Sequence, residues 1–460
     1  MTAQRVPIRV KVAYGASEFS GSVAFTAIAI YFLIFLTDVA GISPGIASAI
    51  FAVAVIWDAF SDPAMGIISD RTRSRYGRRR PYLLAVAIPF GVILWMTFTV
   101  PPFQGFMQVA YFVAMAVAIH TALTVMGVPY TALVAEMTQD YNERASLVTY
   151  RSAWSQLGSI VAATLPLLIV GQFADEELGW SVVGAFLGAC CILPILYTWH
   201  GTRGWERVSL DSEPLKASEV FAALIGNRSF RYLAAVYLLA MFAIYAVGAL
   251  NLYFLQYWMG LTQDQISTYF FILFGCSILW IPVIALACNR VGKRTAYIVF
   301  IGAWAIVSSV GIMLVQPGQL GVLYSLAIVG SIGTTATYQL IWAMIPDVVE
   351  VDEFKSGKRR EGLYYGAAMF IVKLGSALAV FLVGQTLAWL GYVANEVQPP
   401  AVLFGIRLML GPGIALILGS SVVVACFMPM TRRRHQALIR AIEARKAGRP
   451  WDEEEIRCLL

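Results

Sequence analysis

The sequence predicts an all-α integral membrane protein with about twelve transmembrane helices, and three observations carry that prediction. The first is composition. Apolar residues make up 59% of the chain and charged residues 13%, with a mean hydropathy of +0.72, whereas a soluble domain carries about 45–50% and about 25%. So much apolar surface needs lipid as its solvent. The second is that the apolar residues come in blocks of roughly 20 or more, the length that crosses a bilayer as a helix. The third is that Lys and Arg occur only in alternate connections between these blocks.

The predicted spans are 19–37, 45–69, 82–100, 105–135, 148–172, 180–199, 230–258, 266–288, 295–315, 320–345, 362–391 and 402–429. Long continuous blocks exclude a barrel, whose strands are short and alternating, and a helix satisfies its own backbone polar groups in lipid. The short, polar, basic start runs directly into a full-length span, so no cleavable signal peptide is expected. The six Cys lie in spans or near one surface, so no disulfide framework is expected. Cys458 is third from the end and makes no prenylation box.

Orientation follows from the 33 basic residues. Arg5, Arg9 and Lys11 precede the first span. Arg71, Arg73, Arg75, Arg78, Arg79 and Arg80 follow the second, and Arg144 follows the fourth. Arg203, Arg207, Lys216, Arg228 and Arg231 separate the sixth from the seventh, Arg290, Lys293 and Arg294 follow the eighth, and Lys355, Lys358, Arg359 and Arg360 follow the tenth. Eight more lie after Met430. Positive-inside bias therefore puts both termini and every even loop in the cytoplasm of a bacterial-type inner membrane. The net charge of +6 reflects this bias and gives no reason to expect nucleic acid as a partner.

The short loops leave no room for a catalytic soluble domain. The longest connection divides six spans from six. It gives a bundle over 1–200, a cytoplasmic linker over 201–228, a second bundle over 229–430 and a basic tail over 431–460. A weak repeat agrees with two related halves: Gly66, Asp70-Arg71 and Gly77-Arg78-Arg79 follow the second span, and Ala285, Asn289-Arg290 and Gly292-Lys293-Arg294 follow the eighth. This layout resembles the major facilitator fold, with two six-helix bundles around a central cavity. In the tail, Leu438, Ile439 and Ile442 fall at helical spacing among arginines. The tail is read either as a basic amphipathic helix on the anionic inner leaflet or as a solvated segment.

Ionisable residues inside the spans are few, and charge at membrane depth faces a cavity or a partner. Asp58 and Asp62 are four residues apart on the second span, so both carboxylates share one helix face. Two such carboxylates repel unless a cation lies between them or one holds a proton. The alternative is a structural pair satisfied by an arginine. Lys373 is the only Lys inside a span, and Asp58 or Asp62 is its expected partner. Glu18 and Arg151 open the first and fifth spans near the cytoplasmic surface and are read as interfacial, with a role in substrate binding or coupling as the alternative, and Arg407 is read as snorkelling. His120, one turn before Thr124, is read as a core histidine rather than a proton carrier. Among the many aromatics, Tyr130 and Trp342 are the expected cavity residues.

The stretch Trp57-Asp58-Ala59-Phe60-Ser61-Asp62-Pro63, with Gly66, Asp70-Arg71-Thr72 and Ser74-Arg75-Tyr76-Gly77-Arg78, resembles the signature of the glycoside–pentoside–hexuronide:cation symporters. So do Pro346-Asp347-Val348-Val349-Glu350 through Arg359-Arg360-Glu361-Gly362, Val372-Lys373 with Gly375-Ser376-Ala377, and Tyr14-Gly15. The resemblance runs to about residue 430. It implies symport coupled to sodium or a proton. It puts Asp58, Asp62 and Thr124 on cation-site positions, Lys373 on a lysine near that site and Arg151 on an arginine near the sugar. Two acids that bind galactoside in the melibiose permease are replaced by Ser22 and Gly127, and its stacking Trp by Thr131. The galactoside site is therefore not preserved. The family also includes lysophospholipid symporters.

The expected function is cation-coupled uptake of a sugar, glycoside or related small solute by a monomer, without further cofactor. The alternatives are a symporter for an amphipathic solute or, in another class, a membrane enzyme or scramblase. Three His and no Gly-rich run ending in Gly-Lys-Ser/Thr argue against a metal enzyme and against an ATP-driven pump. Asp70, Arg71, Arg75 and Arg78 in one half, and Asp347, Glu350 and Asp352 in the other, are expected to close a cytoplasmic gate by charge pairing.

Overall fold

The computed structural model describes residues 5–138, 140–205, 217–358, 360–451, 454 and 456–459. Arg207, Lys216 and Arg359, which entered the orientation argument, lie outside the described residues. The elements in order are α1 (Ile8–Ala27), prolonged by π-helical turns at Ile28–Phe32 and Phe35–Val39, α2 (Pro44–Arg71), α3 (Arg80–Thr97), α4 (Phe106–Met137), α5 (Tyr141–Val170) and α6 (Glu176–Gly201). Then come α7 (Ala217–Gly226), α8 (Arg228–Tyr253) with a π turn at Phe254–Trp258, α9 (Gln263–Val291), α10 (Lys293–Leu314), α11 (Leu320–Ser356) and α12 (Glu361–Leu390). The last are α13 (Pro400–Leu408), a π turn at Met409–Gly413, α14 (Ile414–Phe427) and α15 (Arg432–Lys446). Among the described residues, eleven helical stretches are long and apolar enough to cross a membrane. Those eleven and α1 with its π turns make the expected twelve. The first span starts earlier than position 19 because Lys11 and Glu18 find partners inside the helix bundle.

The chain forms two compact units. One comprises Met1–Ser212, Asn251–Phe274 and Val380–Leu403, and the other Glu213–Leu250, Gly275–Ala379 and Phe404–Leu460. This grouping departs from a simple division at the linker, because two segments from the second half of the sequence cluster with the first.

In the first unit α1 packs on α5 and α6, α3 on α6, and α4 on α2 and α3. Glycine permits the closest approaches, as small residues do in membrane bundles. A Cβ on Gly188 of α6 would stand 2.2 Å from the Gly91 carbonyl oxygen of α3, and one on Gly158 of α5 would stand 2.6 Å from the Phe19 carbonyl oxygen of α1. Phe98 stacks on Trp180 with ring centroids 5.7 Å apart, and Phe35 meets Phe98 at 5.4 Å.

In the second unit α10 packs on α11 and α14. Arg407 does not snorkel. It is buried and donates to the Ile312 and Met313 carbonyl oxygens, which the end of α10 leaves without helical partners. The tail helix α15 is real, yet its apolar face is turned inward. Leu438, Ala441 and Ile442 are buried, and α15 packs on α11 of its own unit. Packing within the unit replaces the expected bed on the lipid leaflet.

Candidate functional site

The two carboxylates of α2 converge on one hydroxyl of α4. Thr124 Oγ1 is 2.7 Å from Asp58 Oδ1 and 2.7 Å from Asp62 Oδ1, and Ser61 Oγ is 3.2 Å away. Local sequence arranges this. The i, i+4 spacing aligns the acids, and Pro63 deletes the N–H that would bond the Ala59 carbonyl. One turn along, Trp57 Nε1 donates to Thr121 Oγ1 at 2.9 Å and fixes α2 against α4. Thr124 is buried. A hydroxyl has one hydrogen, so Thr124 can donate to only one of the two carboxylates at a time. A proton on a carboxyl group, or a cation shared by the oxygens, would satisfy the second contact at 2.7 Å. His120 adds to this side: its Nδ1 is 3.5 Å from Asp58 Oδ2, within ion-pair range but without a hydrogen bond. The reading of His120 as a core residue thus gives way to a place beside the carboxylates.

A second polar group lies in the same unit. Arg151 of α5 grips Glu18 of α1 with two hydrogen bonds, Nε to Oε2 at 2.6 Å and Nη2 to Oε1 at 3.2 Å. Its guanidinium carbon stands 5.4 Å from the Tyr130 ring centroid, and Tyr130 stacks on Tyr14 at 4.9 Å. The two residues read as interfacial are therefore one bidentate pair against an aromatic floor. Ser22 Oγ is 2.7 Å from Ser155 Oγ. A Cβ at Gly127 would meet nothing within 4 Å, so the position that carries an acid in the melibiose permease borders open space here. In the second unit, Lys373 lies half-buried on α12, and Trp342 of α11 stacks on Tyr365 at 5.8 Å.

The gate residues other than Arg71 have partners inside their own units. Glu136 Oε1 accepts from Arg78 Nη2 and Arg79 Nε, each at 2.7 Å, and Arg79 Nη2 also donates to Asp70 Oδ1 at 2.7 Å. Glu136 was not foreseen; it reads as an ordinary helix-end acid. Arg75 lies over the Tyr76 ring, and Arg71 is exposed. In the second unit Asp347 Oδ1 is 2.5 Å from Lys293 Nζ, Asp352 takes two bonds from Arg360, and Glu350 Oε2 is 2.7 Å from His435 Nε2. The hydrogen bond that His435 donates to the Glu350 carboxylate pushes the imidazole above its ordinary pKa, against burial. Candidate ligand atoms of Asp347, Glu350 and His435 lie within 4.8 Å of one another. The Lys293 ammonium already supplies positive charge there.

Comparison with known proteins decides the family. A family model described as MFS/sugar transport protein matches residues 13–432. The chain belongs to this family of major facilitator sugar transporters. It is a multi-pass membrane transporter rather than an enzyme. An uncharacterised symporter of Synechocystis is 30% identical, over 97% of this chain and 98% of that protein. The isoprimeverose transporter of Lactiplantibacillus pentosus is 28% identical over 88% and 85%. Among solved structures, a bacterial homologue of the human lysosomal transporter Spinster, inward-facing and unoccupied, matches with a TM-score of 0.70 at 13% identity, covering 92% of this chain and 98% of that one. That likeness shows the fold.

Proposed function

We propose that this chain is a symporter that couples the entry of a sodium ion or proton to uptake of a sugar, glycoside or similar small solute, working as a monomer in a bacterial inner membrane with both termini in the cytoplasm. The observation that carries this reading is the Asp58–Thr124–Asp62 convergence, in which two carboxylate oxygens each lie 2.7 Å from one hydroxyl oxygen. A cation between two carboxylates relieves their repulsion, and hard oxygen ligands suit sodium or a proton.

In this reading Asp58, Asp62 and Thr124 hold the cation, and Lys373 senses its arrival from the other half. Arg151, Glu18, Tyr130 and Trp342 engage the solute. Carbohydrate hydroxyls match the fixed donors and acceptors of Arg151 and Glu18, and a sugar's apolar face matches the aromatic rings. Cation and solute each raise the other's affinity by the same factor, because coupling free energy is reciprocal. The internal ion pairs of Asp70, Arg78, Asp347, Glu350 and Asp352 describe one state. In the opposite state these groups, with Arg71 and Arg75, exchange partners across the halves to shut the cytoplasmic side.

The test is uptake by proteoliposomes given a panel of sugars and glycosides under an imposed sodium or proton gradient. Accumulation of a sugar driven by one of the two gradients is expected. Gradient-driven accumulation of a lysolipid with none of any sugar would overturn the solute class. No gradient-driven accumulation of any solute would overturn symport.

A further inference from the structure

Asp38 plays no part in the site described above, yet three hydroxyl groups converge on its carboxylate. It ends the π turn that closes α1, at the end of the unit remote from the arginine-rich α2–α3 loop, and it is 7% exposed. Tyr257 donates to Oδ2 at 2.6 Å, and Tyr392 donates to Oδ1 at 2.7 Å. Thr37 Oγ1 lies 2.6 Å from Oδ1, sharing its single hydrogen between that atom and the Ile34 carbonyl oxygen. Tyr253 Oη stands 2.8 Å from Thr37 Oγ1. Asn395 completes the ring. Its side-chain amide donates to the Asp38 carbonyl oxygen at 2.6 Å, and its backbone N–H donates to Tyr257 Oη at 3.1 Å.

The groups facing Asp38 carry no positive charge. They are Thr37 on its own helix, Tyr253 at the end of α8, Tyr257 in the π turn that follows it, Tyr392 and Asn395 from the segment after α12, and Glu176 at the start of α6, which acts on it as a like charge. Among the described residues no Lys, Arg or His lies within ion-pair distance of it. Asn395 itself sits at φ 58°, the only non-glycine residue with positive φ among those described. Asn tolerates that left-handed conformation better than most residues, and here its two hydrogen bonds hold it there.

We propose that Asp38 is a proton-binding site separate from the Asp58–Asp62 pair, and that its protonation releases the clasp formed by Tyr257, Tyr392 and Asn395. The inference rests on the transport reading for its purpose. A solute can enter from the outer side only if the segments after α8 and α12 part from the end of α1. The chemistry itself stands on geometry. An ionised carboxylate is purely an acceptor, and its hydrogen bonds are about twice as strong as neutral ones. A proton on Oδ2 makes that oxygen a donor facing the Tyr257 hydroxyl, whose oxygen already accepts from Asn395. The Tyr257 bond must then reverse, and the Tyr392 and Thr37 bonds lose their charge assistance. One proton thus weakens all three bonds that the carboxylate accepts from hydroxyl groups at once.

The experiment measures distances between spin labels at Phe106 and Val397, both exposed at this end, in a background with the six native cysteines replaced by serine, in nanodiscs between pH 8 and pH 5 without solute. In the otherwise unaltered protein a longer-distance population should grow as pH falls. Asp38→Asn should show that population at every pH. Tyr392→Phe removes one donor to the charged form, so its midpoint should move up by about one pH unit. Asp62→Asn should keep the pH response, which separates this site from the coupling site. An unaltered protein with no pH response would overturn the proposal. So would an Asp38→Asn variant that keeps the response or stays in the short population throughout, or a Tyr392→Phe midpoint that stays put or falls. If Asp38→Asn does not fold, the Tyr392→Phe midpoint decides alone. Solute accumulation in proteoliposomes is measured separately, so failure here leaves the symport reading standing.

Discussion

Asp58 and Asp62 present their Oδ1 atoms at the same distance, 2.7 Å, from one Thr124 hydroxyl. Thr124→Val keeps the volume and deletes that oxygen. A hydrogen bond to a charged group contributes about 1.5–3 kcal/mol, so apparent cation affinity should fall about 10–100-fold. The cation dependence of solute uptake measures it. Unchanged affinity would place the cation away from Thr124.

Arg151 holds Glu18 through two parallel bonds while lying over Tyr130. Arg151→Lys keeps the charge and loses the fork, so it is not conservative here. Solute affinity in counterflow should weaken by about tenfold, the size of one lost charge-assisted bond, with cation affinity in the absence of solute unchanged. Native counterflow would remove Arg151 from the solute site.

Glu136 accepts from two arginines and its side chain is 4% exposed. Glu136→Gln leaves Arg78 and the buried Arg79 without their shared counter-charge. Breaking a buried pair in this way costs about 3–5 kcal/mol. Thermal unfolding in detergent should show a lower midpoint for this variant than for Glu443→Gln on α15, an acid for which no ion pair is seen.

His435 ties α15 to α11 through Glu350, and its folded-state pKa is raised above the ordinary value. The sign follows from linkage. The stabilisation is fully present below the unfolded pKa of about 6.5 and is lost as pH rises through the higher folded value. Protection of the α15 amides from hydrogen exchange, corrected for intrinsic rates, should therefore fall on the alkaline side. His435→Gln should remove this pH dependence.

The twelve spans were legible because hydropathy and positive-inside charge both act along the chain, one segment at a time. Asp58 and Asp62 stood out as candidates for a related reason: an acid pair at helical spacing inside an apolar block has few uses. Thr124 was expected beside them only through the family resemblance, and the structure brings its hydroxyl to both. Asp38 did not stand out. It stands at the end of a span, where a loop acid is ordinary, and its partners Tyr257 and Tyr392 lie 219 and 354 residues away in sequence. Glu18 and Arg151 were seen singly but not as a pair, because their contact depends on α1 meeting α5, which glycines at 15 and 158 allow. The inward docking of α15 was hidden as well. An amphipathic pattern gives the width of an apolar face but does not distinguish lipid from protein as its cover.

Solute accumulation by the Asp58→Asn and Asp62→Asn variants tests the central claim most directly. Each substitution keeps shape and hydrogen bonding at the site and removes one charge. In proteoliposomes with an imposed cation gradient, both variants should fail to concentrate solute, while solute exchange without a gradient persists because the residues proposed to engage the solute are unchanged. If both variants still accumulate solute against its gradient, the carboxylates are structural and the cation binds elsewhere.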